Sequence, residues 1–518
     1  MKINVSHSRK SRFARISLVL AVLVITVTVL CNVMVATLCN RYSLFTPMLG
    51  DYRFEVSETA YAILDDAFAR ENADGSLSKV RILFCDSERA LREDAYTEYM
   101  LTTAQDLAAR YPERIAVEFH DILVNPDAVR PYQTEIDPVN GEEIYYALDQ
   151  ASVVLVCGEN FLTHSIYDFF SYMDDDVETV WAYKGERMFV ASVLRVLQDE
   201  RPSVVFTSNH GESFYDAEIL MLLEEAGYFF RYMDLYKEDI PSDCDLIICF
   251  NPNADFTVDD GIASVSEIEK LESFLSQGGK SFLLAIDSAT PNLPNLEGFL
   301  AEWGIAGRYH KDALTGLPTR YAVRDEGNSL TSDGYTVFGE LSTGAVNGGF
   351  LPETLGVGAV FKDATSLRAA AGYEPTGNHV YTKGDRTVYG LFAGRESANS
   401  WANGIPVDEE TSMLMAVTEE TVEGRESSFV GVCASTQFMA EEYLQTAVYG
   451  NPSTLFYLFE RLGAKYTPAG LQIQPFRSTE ISSITTAQMW RWMLSLALIP
   501  AALVTGVALW RLVRRRRA

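Results

Sequence analysis

Regular cysteine spacing is missing from this sequence, although it contains seven cysteines. No CxxC and no other paired spacing is present, which disfavours a thiolate zinc site and a redox site. The positions of the cysteines in apolar runs also do not form a disulfide framework. Cys31 and Cys39 lie in or beside a long apolar run near the start of the chain. The other cysteines lie in or next to short apolar runs, where cysteine serves as a small buried hydrophobic residue: Cys85, Cys157, Cys244, Cys249 and Cys433.

Several signatures of metal, cofactor and nucleic-acid binding are also missing. The six histidines include no HExxH motif and no pair four residues apart. The acidic runs Asp174–Asp176 and Val258–Gly261 lack the alternating oxygen ligands of a calcium loop, so we interpret them as solvated surface. The formal net charge of −29, without basic patches interleaved with aromatic residues, argues against nucleic acid as a partner. We predict no metal and no cofactor.

Acidic residues are absent from both ends of this otherwise acidic chain. Residues 1–15 and 511–518 each carry five Lys or Arg and no Asp or Glu. Beside them are two uncharged apolar runs, 16–38 and 492–510, each long enough as a helix to cross a hydrocarbon core of roughly 30 Å. A cleaved signal peptide is the alternative for the first run. Its apolar core is longer than that class allows, and no A-x-A-like site follows it.

Cationic segments are retained on the cytoplasmic side of a membrane. The terminal patterns therefore predict a two-pass protein of the plasma membrane, in contact with the lipid bilayer. Both termini would be cytoplasmic tails, and the large central part would be extracytoplasmic. The tails are too short to form a signalling domain, which weakens an alternative function as an extracytoplasmic sensor.

The part between the two apolar runs is long enough for two or three domains. In residues 41–198, short apolar runs alternate with helical patterns, which predicts a parallel α/β layer. Residues 202–308 repeat this alternation and predict a second, doubly wound α/β domain. Residues 315–463 are rich in Gly and Thr and predict a mixed, β-rich region. Residues 464–491 predict a polar tether. The fold class expected is thus α/β, with tandem extracytoplasmic domains and a transmembrane helix at each end.

The sequence GGKS at Gly278–Ser281 has the appearance of the end of a phosphate-binding loop. Phe274 stands where that motif needs a glycine, and here a helical pattern precedes the glycines while a strand follows them. A phosphate loop needs the order strand, loop, helix. We therefore interpret Gly278 and Gly279 as a structural motif, the C-terminal cap of a helix.

The segment SVVFTSNHGESFYD, Ser203–Asp216, has the order strand, tight turn, helix that a nucleophile elbow requires. Its turn does not match G-x-S-x-G and contains no cysteine, so we predict no catalytic residue. Asn209, His210, Gly211 and Glu212 are instead candidate contacts to a ligand or a partner, with a positive φ expected at Gly211. A purely structural turn remains an alternative, as does a catalytic one.

The segment YKGERMFVASVLRVLQDERPSVVFTSNHGES resembles the G-E, helix, strand, G-H-G-E segment of the GldG-like auxiliary proteins of ABC-type transport systems. Gly185 and Glu186 form the first motif, and Asn209 replaces the first glycine of the second, which Asn can do because it tolerates left-handed backbone. The passage around Gly278, the helical segment GNPSTLFYLFERLGA and the last apolar run are also similar to that family. Residues 432–438, VCASTQF, depart from it, because acidic residues are expected there.

This resemblance implies a module that works with ABC permease and ATPase subunits, in the group that includes gliding-motility components. It also implies that the second domain is similar to the class I glutamine amidotransferase-like fold without its cysteine nucleophile. We therefore expect a non-catalytic, membrane-anchored, extracytoplasmic auxiliary subunit that contacts a substrate, an envelope component or a partner protein. The alternative is a cell-envelope hydrolase of amidotransferase-like fold that uses His210 and Glu212.

Overall fold

The computed structural model describes residues 54–73, 78–136, 143–173, 176–213, 217–259, 265–353, 355, 358–408, 411–445 and 448–476. The elements below belong to one compact unit that begins at Glu55. The α-helices within these residues are α1 (Glu58–Ala73), α2 (Glu88–Glu93), α3 (Ala95–Arg110), α4 (Gly185–Val196), α5 (Ala217–Glu225), α6 (Glu267–Leu275), α7 (Pro294–Glu302), α8 (Thr343–Asn347), α9 (Glu441–Leu444) and α10 (Asn451–Leu462).

The β-strands within the same residues are β1 (Val80–Phe84), β2 (Ile115–Phe119), β3 (Thr134–Ile136), β4 (Glu143–Tyr145), β5 (Ser152–Cys157), β6 (Asn160–Ser165), β7 (Phe170–Met173), β8 (Asp176–Tyr183), β9 (Ser203–Thr207), β10 (Phe229–Met233), β11 (Cys244–Phe250), β12 (Ser281–Ala285), β13 (Ile305–Gly307), β14 (Tyr309–Lys311), β15 (Pro318–Arg320), β16 (Ala322–Asp325), β17 (Thr336–Leu341), β18 (Ala359–Lys362), β19 (Leu367–Ala369), β20 (Glu374–Gly377), β21 (Val380–Lys383), β22 (Arg386–Gly394), β23 (Ala398–Ala402), β24 (Ile405–Asp408), β25 (Met413–Glu420), β26 (Ser428–Cys433) and β27 (Gln474–Pro475). The chain is thus a mixed α/β protein with several sheets.

The largest sheet contains 13 strands, and its main path runs β10-β9-β11-β12-β26-β25-β22-β17-β18. The first five strands are parallel to one another. From β26 onward the neighbours are antiparallel. All residues of β9, β12 and β26 are buried, because helices or loops cover both faces of a parallel sheet. Region 202–308 therefore shares its sheet with strands from region 315–463.

A helix and a strand of the second region illustrate why the sequence folds this way. Helix α6 buries the apolar stripe Ile268, Leu271, Phe274 and Leu275, which recurs at helical spacing and forms its inner face. Ser266 caps the helix by accepting a hydrogen bond from the Glu269 amide, 3.2 Å away. The helix then returns the chain to β12, which pairs in parallel with β11.

The four-stranded sheet of the first region has the order β2-β1-β5-β6 and differs from the parallel layer predicted there. Strands β1 and β2 are parallel as predicted, but β5 is antiparallel to both β1 and β6. Only two residues connect β5 to β6, including Gly158 at a φ of 61°. A connection that short joins antiparallel strands, whereas a parallel pair needs a crossover of about a dozen residues or more.

The predicted two-pass membrane localisation is corrected by the helices of the structure. In the part of the chain that the structure describes, no helix is long and apolar enough to cross a membrane. The two longest there, α1 and α3, have 16 residues each. At 1.5 Å per residue they span about 24 Å, less than a hydrocarbon core of about 30 Å. The predicted spans, residues 16–38 and 492–510, and both terminal tails lie outside the described residues.

Candidate functional site

The turn after β9 lies where the order of the parallel strands reverses. From β9 the chain passes to β10 on one side and then crosses back to β11 on the other. The loops after β9 and β11 therefore leave the same edge of the sheet, at the kind of crevice where open α/β sheets bind ligands. The two loops are joined directly, since the amides of Asn253 and Ala254 each donate to the carbonyl oxygen of His210 at 2.8 Å.

Left-handed backbone shapes the turn. Asn209 has a φ of 79° and Gly211 a φ of 72°, so the positive φ predicted at Gly211 is confirmed. The Asn253 side-chain amide donates to the Gly211 carbonyl oxygen at 2.6 Å. A Cβ atom on Gly211 would lie 3.2 Å from the Cβ of Asn253, so the loop from β11 closes over this glycine. Asn209, Gly211 and Asn253 are exposed on the outer side of the turn.

Beneath the turn, the imidazole of His210 is held between two carboxylates. Its Nδ1 lies 3.2 Å from Glu212 Oε1, and its Nε2 lies 3.1 Å from Glu267 Oε1. The ring is stacked on Phe256, with 4.1 Å between the centroids and an angle of 3° between the planes. Only 5% of the His210 side chain is exposed. Glu267 comes from α6, 57 residues further along the chain, and was not predicted from the sequence.

Both carboxylates have further donors that fix their positions. Glu212 Oε2 accepts the amide of its near neighbour His210 at 2.8 Å, and its Oε1 accepts the Thr207 hydroxyl at 2.9 Å. Glu267 Oε2 accepts the amide of Thr257 at 2.9 Å and the hydroxyl of the same residue at 3.0 Å. The buried cluster is therefore closed, with each polar group satisfied by a neighbour.

These contacts determine the protonation of the cluster. Burial alone would lower the pKa of His210, but the hydrogen bonds and charges of Glu212 and Glu267 outweigh it and raise the pKa to about 9. Burial raises the pKa of a carboxyl group, yet the hydrogen bonds from His210 and from neighbouring backbone and hydroxyl groups hold the pKa of Glu212 and Glu267 below its usual range. At neutral pH, an imidazolium cation thus lies between two carboxylates. Both ring nitrogens donate, so neither keeps a lone pair to accept a proton.

A thiol lies close to this cluster but is not activated. Cys249, on β11, is completely buried. Burial raises the pKa of its thiol, and the charges of Glu212 and Glu267 raise it further against a hydrogen bond with Thr207. A nucleophilic cysteine needs the opposite, a lowered pKa and access to the substrate. Cys249 is therefore a buried structural side chain, as predicted.

A polar rim that was not predicted from the sequence lies along the same edge of the sheet. Asn251, after β11, donates to Ser213 Oγ at 3.1 Å and to Asp287 Oδ2 at 3.3 Å, and accepts the Thr290 hydroxyl at 2.5 Å. Thr436, after β26, donates to Asp287 Oδ2 at 3.0 Å. Each of these residues follows a buried strand of the parallel sheet. That position was the available signal, because the carboxyl ends of parallel strands meet at one edge.

Gly185 and Glu186 belong to a different part of the molecule. Gly185 begins α4, where a Cβ atom would lie 2.1 Å from the ring of Tyr183. The buried carboxylate of Glu186 accepts the Ser57 amide at 2.5 Å and the Gln474 side-chain amide at 3.3 Å. This motif therefore ties the start of α1 to β27 and makes none of the contacts of the β9 turn.

Gly278 and Gly279 end α6, as predicted, with φ values of 81° and 66°. They precede β12 and so lie at the amino end of that strand, away from the edge where the His210 turn emerges. The Gly279 amide donates to the carbonyl oxygen of Glu426 at 3.3 Å. The glycines thus bring the chain from α6 into the sheet beside the strand that follows Glu426.

The acidic and histidine side chains are also potential ligands for a metal ion. Among the described residues, no group of three or more His, Cys, Asp or Glu side chains could hold a metal ion. Asp174, Asp175, Asp260 and Gly261, from the two acidic runs, lie outside the described residues.

Comparisons with known proteins do not identify a family. No family model matches the chain, and no curated protein matches it. Among solved structures, the N-terminal domain of mmIFT52 is 14% identical with a TM-score of 0.35, covering 50% of this chain and 96% of that one. The structure of PurLQS from Thermotoga maritima is 13% identical with a TM-score of 0.27, covering 51% of this chain and 100% of that one. Both likenesses are too weak to support an argument about function.

Proposed function

We propose that the chain is a non-catalytic auxiliary subunit of an ABC-type transport system, and that the turn after β9 contacts a substrate or a partner protein. One observation supports the non-catalytic part of this proposal: both ring nitrogens of His210 lie within hydrogen-bond distance of a carboxylate. The assignment to ABC transport rests on the resemblance of the segments around Gly185 and Asn209 to the GldG-like family.

The position of the turn supports a role in binding. It emerges at the reversal point of the parallel sheet, at the carboxyl ends of β9 and β11, which is where open α/β sheets bind ligands. The closed cluster beneath it fixes the backbone, so the exposed groups of Asn209, Gly211 and Asn253 are presented on a rigid support. A preorganised surface loses less conformational entropy when a ligand binds.

The chemistry of the cluster disfavours the hydrolase. A general base needs an unprotonated nitrogen within reach of its substrate, whereas the His210 imidazolium is buried and both of its N–H groups are engaged. The nearby thiol of Cys249 is buried with a raised pKa. We infer that region 202–308 is amidotransferase-like in its arrangement of parallel strands but works without a nucleophile at the turn.

Affinity purification from the native cell tests this proposal. We expect the tagged full-length chain to recover an ABC permease and an ATPase, identified by mass spectrometry. Asn209→Arg places a bulky cation on the turn and should reduce that recovery severalfold. Asn209→Gly preserves the left-handed backbone. If the backbone makes the contact, this variant should recover the ABC subunits as well as the wild type does.

Asn403→Arg is a matched control, because Asn403 is also exposed and has a positive φ, of 50°, in the hairpin between β23 and β24. It should leave the recovery unchanged. Absence of both ABC subunits under every solubilisation condition would exclude the proposed partners. Equal loss with Asn403→Arg and Asn209→Arg would exclude the turn as the contact.

A further inference from the structure

A cavity lies at the carboxyl end of β1, in a different sheet from the β9 turn. It has a volume of about 420 Å³ and is bounded by the starts of α2 and α3 and by residues 166–172. The charged side chains that line it are Asp86 and Asp94, and its lining contains no Lys, Arg or His. A cavity that is lined by acidic side chains and by no basic ones favours a positively charged ligand.

Aromatic rings form much of the remaining wall, contributed by Tyr96, Tyr167, Phe170 and Tyr172. Tyr96 packs edge-on against Phe170, with 5.5 Å between their centroids. Tyr167 is 61% exposed and stacks on no other ring in the described part of the chain. Burial raises the pKa of Tyr172, and Tyr167, Asp168 and Tyr96 raise it further, so this phenol stays neutral at physiological pH. Neutral tyrosine rings present negative π faces to a cation.

The two carboxylates also have structural roles, and those roles occupy one oxygen of each. Asp86 Oδ1 accepts the Ser87 amide at 2.6 Å and the Gln150 side-chain amide at 3.2 Å. Asp94 Oδ1 caps α3 by accepting the amides of Tyr96 at 3.0 Å and Thr97 at 2.9 Å. The Oδ2 atoms of both residues accept no hydrogen bond from a described residue. These structural roles therefore leave an acceptor oxygen on each carboxylate.

We propose that this cavity binds a small organic cation, with its ammonium or quaternary ammonium head against the tyrosine faces and near Asp86 and Asp94. Aromatic rings combined with carboxylates recognise such heads, because the rings and the acids attract the cation while the alkyl groups pack on the rings. The volume is sufficient, since a dry cavity of roughly 150 Å³ already accepts a benzene molecule. The inference is independent of the function proposed for the β9 turn.

Choline and its uncharged carbon isostere, 3,3-dimethylbutan-1-ol, test the requirement for charge. Binding to the full-length protein is measured by isothermal titration calorimetry and by saturation-transfer NMR. We expect choline to bind at least about tenfold more tightly than the isostere. Phosphocholine should bind more weakly than choline, because its phosphate meets two carboxylates. Tighter binding of phosphocholine would instead point to a lipid headgroup and would overturn the proposal of a free cation.

Point variants locate the binding. Tyr167→Leu removes a π face and should weaken choline binding by about five- to tenfold. Asp86→Asn removes the charge but keeps an oxygen for the Ser87 amide, and it should weaken binding to a similar extent. Tyr145→Leu and Asp127→Asn alter an exposed tyrosine and an exposed aspartate outside the cavity and should leave binding unchanged. Equal affinity for choline and its isostere, or wild-type affinity in Tyr167→Leu, would overturn the proposal, as would an absence of choline binding.

Discussion

His210 joins two loops that are distant in sequence, and it does so with a charge. Its carbonyl oxygen accepts the amides of Asn253 and Ala254, and its ring lies between carboxylates from the β9 turn and from α6. Burying one member of such an ion cluster without the others would be costly, because an unpaired charge in the interior is poorly solvated. His210, predicted as a candidate contact with catalysis as the alternative, thus also joins the two loops through a charge that depends on protonation.

We expect the free energy of unfolding to fall as pH rises from about 6.5 through about 9. The folded-state pKa of His210, about 9, lies above the unfolded value of 6.5. Its contribution is therefore complete below pH 6.5 and is lost by about pH 9, with an upper magnitude of about 3 kcal/mol. The lowered pKa values of Glu212 and Glu267 affect stability at acidic pH. Their contribution to the free energy of unfolding is present above pH 4.5 and is lost as pH falls below that value.

Urea unfolding at pH 6, 7.5 and 9 measures this dependence. His210→Gln should destabilise the protein most at pH 6 and should flatten the decline toward pH 9. His120→Gln, a control at a partly exposed histidine of the first sheet, should retain the wild-type slope. An unchanged slope in His210→Gln would show that the pH dependence arises elsewhere.

Among the elements, α6 shows how one helix serves both the core and the site. Its apolar stripe packs inward, its first residue Glu267 reaches His210, and its end is fixed by two left-handed glycines. The environments of the glycines differ. A Cβ atom on Gly278 would lie 2.9 Å from the backbone oxygen of Glu426, whereas one on Gly279 would lie 2.6 Å from the side-chain carboxylate of the same residue.

This difference predicts unequal effects of two similar substitutions. Gly278→Ala should cost more stability than Gly279→Ala, because a backbone atom cannot move aside as a side chain can. The positive φ alone should cost each variant about 1 kcal/mol, and the clash at Gly278 should add to it. Chemical denaturation of both variants measures the order. Gly424→Ala, at a φ of 82° with no atom near its Cβ position, isolates the conformational cost. A smaller loss in Gly278→Ala than in Gly279→Ala would contradict the prediction.

The elements also mark how far the sequence could predict the structure. The α/β class follows from short apolar runs that alternate with helical patterns, and the glycine cap at the end of α6 follows from local sequence; both were predicted correctly. The antiparallel direction of β5 was not, because direction depends on the two-residue connection to β6. The turn at Asn209 was predicted from strand and glycine signals. Its partner Glu267 and the rim residue Thr436 were missed, because only strand order places them beside the turn.

At the scale of the whole molecule, the buried side chain of Arg187 joins two regions. It lies on α4, in region 41–198, and contacts α5, in region 202–308. Arg187 contacts both oxygens of Glu225, with Nε 2.8 Å from Oε2 and Nη2 3.1 Å from Oε1. Its Nη2 also lies 3.9 Å from Glu218 Oε1, and its guanidinium lies 5.8 Å from the ring centroid of Phe456 on α10. The side chains of Arg187 and Glu218 are 2% and 1% exposed. Water therefore gives little compensation if either partner is removed.

We expect Arg187→Met to destabilise the protein by about 3–5 kcal/mol, since it leaves the Glu225 carboxylate buried without its cation. Burial already raises the pKa of Glu225 despite the opposing charges of Arg187 and Lys184. Without Arg187, the folded state should take up a proton on Glu225 more readily, so the loss of stability should be smaller at pH 5 than at pH 8.

Adding Glu225→Met removes the carboxylate that Arg187→Met leaves unpaired, and the double variant should recover much of the stability. A double-mutant cycle by guanidinium unfolding measures the coupling. A double variant no more stable than Arg187→Met would show that packing, and not the ion pair, joins these helices.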